Sequence, residues 1–171
     1  MEYWDIYDGH RNKMGYQVVK GTVLKKGEYH LVVHVCVFNK NNEMLIQKRR
    51  EDKPNWPGLW DFSSGGAAIA GENSNTAAER ELLEELAISV PLADARPIIT
   101  VHFDDGFDDY YAIEIDEHLA GQIQFAEEEI DEIMWASYDR IIELINEGKF
   151  GILKSFISVI FDMRKQRGNR I

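Results

Sequence analysis

The stretch from Gly65 to Ile88, GGAAIAGENSNTAAERELLEELAI, constrains this chain more than any other. A loop of small residues meets a lone carboxylate at Glu72 and runs into a helix expected over residues 73–86, for which Asn73, Ser74 and Asn75 all offer N-caps. Within it Glu81, Glu84 and Glu85 stand at i, i+3 and i+4, so three carboxylates leave one face within a turn. Like charges so spaced weaken an isolated helix by about 0.2–0.5 kcal/mol per pair, which calls for a counter-charge. A hard divalent cation supplies one, because Mg²⁺ takes oxygen ligands and is held by a few carboxylates together with substrate phosphates. The apolar positions Ala78, Leu82, Leu83 and Leu86 lie mostly elsewhere. The helix is therefore expected to pack one face on a sheet and to turn the other, Glu85 included, to solvent and metal.

A chain of 171 residues is long enough for one domain with its own core, and no Ser/Pro/Gly-rich linker divides it, so residues 1–171 are expected to form a single domain. Nineteen basic against thirty acidic residues give a net charge of −11, which argues against nucleic acid as a partner, since that binding needs Lys and Arg on phosphates. An anionic small substrate screened by metal remains compatible with that charge. No run of 18 apolar residues and no charged-then-apolar leader is present, so no membrane partner and a cytoplasmic location are expected. The single cysteine, Cys36, excludes an internal disulfide and lies in an apolar run, where a buried, inert thiol is expected.

In chain order, residues 2–7 read as a short strand and 17–28 as a strand or a short helix. His30 to Phe38, valine-rich and apolar on both faces, reads as a fully buried strand, and Met44 to Arg49 as its antiparallel hairpin partner across the turn 39–43. Residues 51–58, with two prolines and a glycine, must be loop. Residues 96–103 and 110–116 read as strands joined by a solvated turn DDGFDD, which lacks the spacing of a calcium loop. Glu132 to Ala136 makes another strand, Ser137 caps a helix that Gly148 ends, and a last helix runs from Leu153 to Arg167 with Arg164, Lys165 and Arg167 at its carboxyl end, where they suit the helix dipole.

Gly66, five residues, Glu72, seven residues, then Arg80-Glu81-Leu82, one residue, Glu84-Glu85, one residue and Ala87-Ile88 resembles the signature of the Nudix hydrolases, which cleave nucleoside diphosphates linked to another moiety. The family pattern has glycine where this chain has Ala87; a left-handed C-cap there costs a residue with a Cβ about 1 kcal/mol. The resemblance implies a Nudix-type α/β/α sandwich around a mixed sheet. Outside residues 66–88, YHLVVHVCVFN and NWPGLWD are similar to the isopentenyl diphosphate isomerase branch of the superfamily. That chemistry needs a cysteine and a histidine where this chain holds Gly65 and Ala67, neither of which can move a proton or bind a metal through its side chain.

The resemblance further implies water attack on phosphorus in a small diphosphate compound, assisted by Mg²⁺ or Mn²⁺. Glu81, Glu84 and Glu85 would be the metal ligands, with the Gly65 carbonyl a further candidate. Arg80 would orient the carboxylates, and Glu72 would complete the metal shell through water or order the loop. The general base would be a signature glutamate such as Glu81 or one of the run Glu127–Glu129, with Glu128 the candidate there. Arg49 aligns with an arginine that looks like a phosphate contact in the isomerase branch. Trp56 and Trp60 are candidate stacking residues, and His30 and His34 share a strand face without zinc spacing. The expected function is a metal-dependent diphosphatase. A non-catalytic Nudix-like binding module is the alternative, though such modules usually lose metal glutamates that are intact here.

Overall fold

In the computed structural model, residues 1–151, 154–167 and 169–170 are described. The elements are β1 (Tyr3–Tyr7), β2 (Lys13–Val19), β3 (His30–Phe38), β4 (Met44–Arg49), β5 (Trp60–Asp61), β6 (Ser64–Ala67), α1 (Ser74–Leu86), β7 (Ile99–Phe103), β8 (Gly106–Glu114), α2 (Glu117–Ala120), β9 (Ile130–Ala136), α3 (Tyr138–Asn146), α4 (Lys154–Arg167) and β10 (Asn169–Arg170). Strands β1 and β2 form a separate antiparallel ribbon, so the segment 17–28 resolves into the end of a strand and a loop.

The main sheet is mixed and centres on β3. Its β-branched residues suit a strand covered on both faces, and it runs parallel to β8 from His30↔Gly106 to Phe38↔Glu114. The expected β3–β4 hairpin holds only at its root, Phe38↔Met44. Beyond it the strands part: β3 pairs with β6, and β4 pairs with β9 and β5. Ser63 sits in the split. Its hydroxyl accepts from the Val37 amide at 2.8 Å and donates to the Leu45 carbonyl at 2.5 Å, replacing ladder bonds the divergence removes.

Alternation along β3 divides the core. Val33, Val35 and Val37 meet Leu82 and Leu86 of α1, whereas Cys36 and Phe38 meet Ile141 of α3 and Ile157, Ile160 and Phe161 of α4. The result is the expected α/β/α sandwich. Cys36 is fully buried, and burial pushes its thiol pKa up, as an inert core residue requires. Ser137 caps α3, and Gly148 follows it with φ 69°, as its sequence predicts. Among the described residues no helix is long and apolar enough to cross a membrane.

The segment DDGFDD departs from expectation. The turn is only Asp104-Asp105; β8 already begins at Gly106, pairing with Phe103. Alternation then sends Asp109 to the α1 side, where it is fully buried. There it takes two hydrogen bonds from Arg11, one from Thr100 Oγ1 at 2.6 Å and one from the Ser74 hydroxyl in the first turn of α1. A charge that the sequence leaves on a solvated turn thus ties the β1–β2 ribbon, the sheet and α1 together. At the carboxyl end, the predicted helix start at Leu153 and the Arg167 side chain lie outside the described residues. Arg164 does not merely complement the helix dipole: it pairs with Glu114, bonds Asn42 and lies over the Phe38 ring at 4.7 Å.

Helix α1 ends at Ala87, whose φ of 54° and ψ of 24° are left-handed, and its amide bonds the Leu83 carbonyl. Ala87→Gly relieves the Cβ clash and should raise stability by up to about 1 kcal/mol. Urea unfolding of both proteins checks this, and a loss of stability would contradict the left-handed assignment.

Candidate active site

Helix α1 starts on a reciprocal cap: the Asn73 side chain accepts from the Thr76 amide and Thr76 Oγ1 accepts from the Asn73 amide, both at 3.0 Å. That cap fixes the rotation of the helix, and the rotation differs from the predicted one. Glu81 and Glu85 are 7% and 8% exposed and belong to the sheet-facing stripe with Ala77, Ala78, Leu82 and Leu86, whereas Leu83, expected to pack, is 54% exposed. Of the three carboxylates, Glu84 alone faces solvent. The reason lies in β6. A Cβ on Gly66 would come within 2.3 Å of Glu81 Oε1, and one on Gly65 within 2.8 Å of the Val33 carbonyl. Gly66 thus leaves room for the Glu81 carboxylate, and Gly65 lets β6 lie close against β3.

Arg80 holds the cluster together. Its Nε and Nη2 grip Glu72 at 2.8 and 3.1 Å, Nη1 bridges Glu81 at 2.8 Å and Glu84 at 2.9 Å, and Nη2 also reaches the Ala67 carbonyl at 3.1 Å. The rigid guanidinium fork is used in full. Of the two parts the sequence leaves open to Glu72, ordering the loop is the one with visible contacts: its Oε2 also accepts from the Ile69 amide at 2.9 Å. The ribbon braces the same loop from outside, with Lys13 Nζ donating to the Glu72 carbonyl at 3.0 Å and Asp5 accepting from the Gly71 amide at 2.9 Å.

Glu85 lies beyond the reach of that arginine. Its Oε2 accepts from Gln47 Nε2 at 3.1 Å and from the Gly65 amide at 3.2 Å. Burial first, and the charge of Glu81 second, push its pKa up to about 8, and burial likewise raises Glu81 against the pull of Arg80. These are oxygen donors short of positive charge. The Gly65 amide points at Glu85 and away from β3, so in an antiparallel strand its carbonyl turns the same way. The buried Ser64 hydroxyl lies beside the Glu85 carboxylate and favours its charged form. Among those residues no three His, Cys, Asp or Glu side chains form a ready metal cage, because Arg80 holds Glu81 and Glu84 while Glu85 turns to Gln47. The donor set still fits a hard divalent cation: all oxygen, anionic, and backed by glycine.

These groups line a cleft of about 440 Å³ whose other walls carry Lys20, Arg49, Glu128 and Glu129. Glu128 thus shares the cleft with the signature glutamates. Glu127 does not line it, and Glu129 pairs with Lys53 at 2.5 Å. Arg49 is placed at the cleft, its Nε on the Asn55 carbonyl at 2.9 Å and its guanidinium 4.0 Å from Asp61. Sequence reasoning missed Gln47, Ser64 and Lys20; alternation along β4, which puts Gln47 on the face of Arg49, was the available signal for the first. Trp60, at 8% exposure, packs in the core with Phe62 and Phe150, so of the two candidate tryptophans Trp56 alone is accessible, at 55%.

A model of the NUDIX domain matches residues 28–156. An uncharacterized Nudix hydrolase of Listeria monocytogenes is 39% identical over 96% of this chain and 96% of its own length. An isopentenyl-diphosphate Delta-isomerase of Pectobacterium atrosepticum is 31% identical over 58% of this chain and 52% of its own. A crystal structure of a Deinococcus radiodurans protein superposes with a TM-score of 0.73 at 23% identity, covering 92% of this chain and 98% of that one.

The raised carboxylate pKa values carry a stability signature. Between the ordinary value of 4.5 and about 8 the folded protein holds a proton on Glu85 that the unfolded chain releases, so stability falls as pH rises through that window. In chelator, the thermal midpoint should drop between about pH 5 and about pH 8.5, and Glu85→Gln should flatten most of that slope, leaving the smaller part due to Glu81. Calorimetry across the pH series checks this; an unchanged slope in the variant would assign the effect elsewhere.

Proposed function

The chain belongs to the Nudix family of hydrolases, and on that premise we propose that it cleaves a diphosphate linkage in a small organic diphosphate by water attack on phosphorus, with Mg²⁺ or Mn²⁺. The observation that carries this reading is the burial of Glu81 and Glu85 against Gly65 and Gly66 in the lining of a cleft that Lys20 and Arg49 also line. Acidic oxygens that burial leaves short of counter-charge and cationic side chains thus line one cleft of about 440 Å³.

In this proposal Glu81, Glu84, Glu85 and the Gly65 carbonyl hold the metal, which when bound neutralises charge on the diphosphate oxygens and acidifies the attacking water. Arg80 keeps Glu81 and Glu84 aligned, through the contacts described above, and Glu72 stiffens the loop between β6 and α1. Arg49 and Lys20 bind the phosphate oxygens. Glu128, in the lining of the same cleft, takes the proton of the attacking water, with Glu81 the competing choice. The isomerase reaction has no support from Gly65 and Ala67, which lack side chains able to carry a proton.

The test is a panel of nucleoside and other organic diphosphates assayed with Mg²⁺, with Mn²⁺ and with chelator, using the natural protein and Glu85→Gln. Metal-dependent release of phosphate-containing products is expected, with turnover at least about 100-fold lower in the variant, since the loss of a ligand exceeds the 10–100-fold effect typical of outer-shell groups. The metal-free variant should be no less stable than its parent at neutral pH, because the parent must take up a proton on the buried Glu85 that its unfolded chain releases, a cost the glutamine does not carry. Tight binding of a panel member without any product would favour the binding-module reading instead.

A further inference from the structure

Three consecutive glutamates, Glu127 to Glu129, run past the carboxylate cleft, and two of them, Glu128 and Glu129, line it. Their backbone is pinned from two sides. The Ala126 amide bonds the Glu85 carbonyl at 2.9 Å and the Arg50 amide bonds the Glu129 carbonyl at 3.3 Å, so the run is strung between the last turn of α1 and the end of β4. Arg50 Nη1 adds a bond to the Glu127 carbonyl at 3.1 Å. The backbone alone does not separate the duties of the side chains. Two adjacent carboxylates that share a cleft with Glu81, Glu84 and Glu85 would both compete for a hard cation bound there, because Mg²⁺ takes oxygen ligands.

The loop after β4 tells the two apart. Lys53 Nζ lies 2.5 Å from Glu129 Oε2, whereas the Glu128 carboxylate makes no hydrogen bond or ion pair among the described residues. A closed turn presents Lys53: the Arg50 carbonyl accepts from the Lys53 amide at 3.3 Å and from the Gly58 amide at 3.4 Å. The Arg50 side chain ties the same turn, donating to Asp52 through Nε and Nη2 at 3.0 and 3.1 Å. The Lys53 side chain is 21% exposed and that of Glu129 44%, so water screens the pair and it adds little to stability. Its consequence is positional. It occupies the Glu129 carboxylate with a cation held by the loop and leaves Glu128 unclaimed.

We propose that Lys53 is a positioning residue that divides this acidic run between two duties: it keeps Glu129 off the metal, and so leaves Glu128 as the carboxylate free to take the proton of the attacking water. The inference rests on the metal-site reading of the cleft, but its test needs neither a substrate nor turnover. Isothermal calorimetry with Mg²⁺ alone would compare the natural protein with Lys53→Met, Lys53→Arg, Glu129→Gln and the double variant Lys53→Met/Glu129→Gln. Loss of a cation strengthens Mg²⁺ binding through charge alone, and the effect of Lys53→Met in the Glu129→Gln background measures that part. With Glu129 present, a further gain of about three- to fivefold is expected, the size of an exposed ion pair that no longer has to be broken before Glu129 reaches the ion. Lys53→Arg should match the natural protein, because the pair is kept. The substitutions fall on partly exposed side chains, and thermal unfolding shows that each variant is folded. An equal gain in both backgrounds would reduce Lys53 to a surface charge, a loss of affinity in Lys53→Met would make it a prop of the loop, and either result would overturn the proposal. Absence of Mg²⁺ binding by the natural protein would instead overturn the metal-site reading, and this inference with it.

Discussion

Two carboxylates buried against a glycine backbone set the terms for the rest of this structure. Burying an ionised carboxylate is costly unless hydrogen bonds and counter-charge offset it, and Glu81 and Glu85 enter the sheet-facing stripe of α1 with one arginine between them. Gly66 gives Glu81 space, Gln47 and the Gly65 amide give Glu85 its hydrogen bonds, and Arg80 gives Glu81 its charge. Much of the surrounding architecture serves to hold these few groups in register. The cap at Asn73 and Thr76 fixes the rotation of α1, and the loop before it is braced by Glu72 from within and by Asp5 and Lys13 from the β1–β2 ribbon.

The division of the sheet is the second organising constraint. Because β3 and β4 touch only at Phe38 and Met44, a gap opens in which β6 can lie against β3 while Gln47 and Arg49 approach from β4. Ser63 makes that divergence tolerable by satisfying one backbone group on each strand. A continuous hairpin would have closed the space in which β6 meets Gln47 and Arg49.

Stability and the proposed chemistry pull in opposite directions at this site. The cluster is most comfortable with its acids protonated, and a bound cation would be the natural way to discharge it at neutral pH. Elsewhere the same cost is met in full: Asp109, equally buried, has Arg11, Thr100 and Ser74 around it. The contrast separates a structural carboxylate from one left short of charge.

The sequence by itself determined the layered α/β character, most strand and helix positions, the left-handed end of α1 at Ala87 and the membership of the carboxylate cluster. These follow from periodicities of 2 and 3.6, from caps and turn residues, and from a spaced signature, all of which act over a few neighbours along the chain. Tertiary structure decided which face of α1 is buried, because the space for Glu81 is made by Gly66 and the hydrogen bonds of Glu85 come from Gln47 and Gly65, all on other elements, and a helical pattern read alone assigns charged residues to solvent. It also decided that Asp109 is a buried hub, since its partners Arg11, Thr100 and Ser74 come from three separate segments. The split between β3 and β4 belongs to the same class: local pattern proposes a hairpin, and competition from β8, β6 and β9 for the same strand edges determines how far it extends.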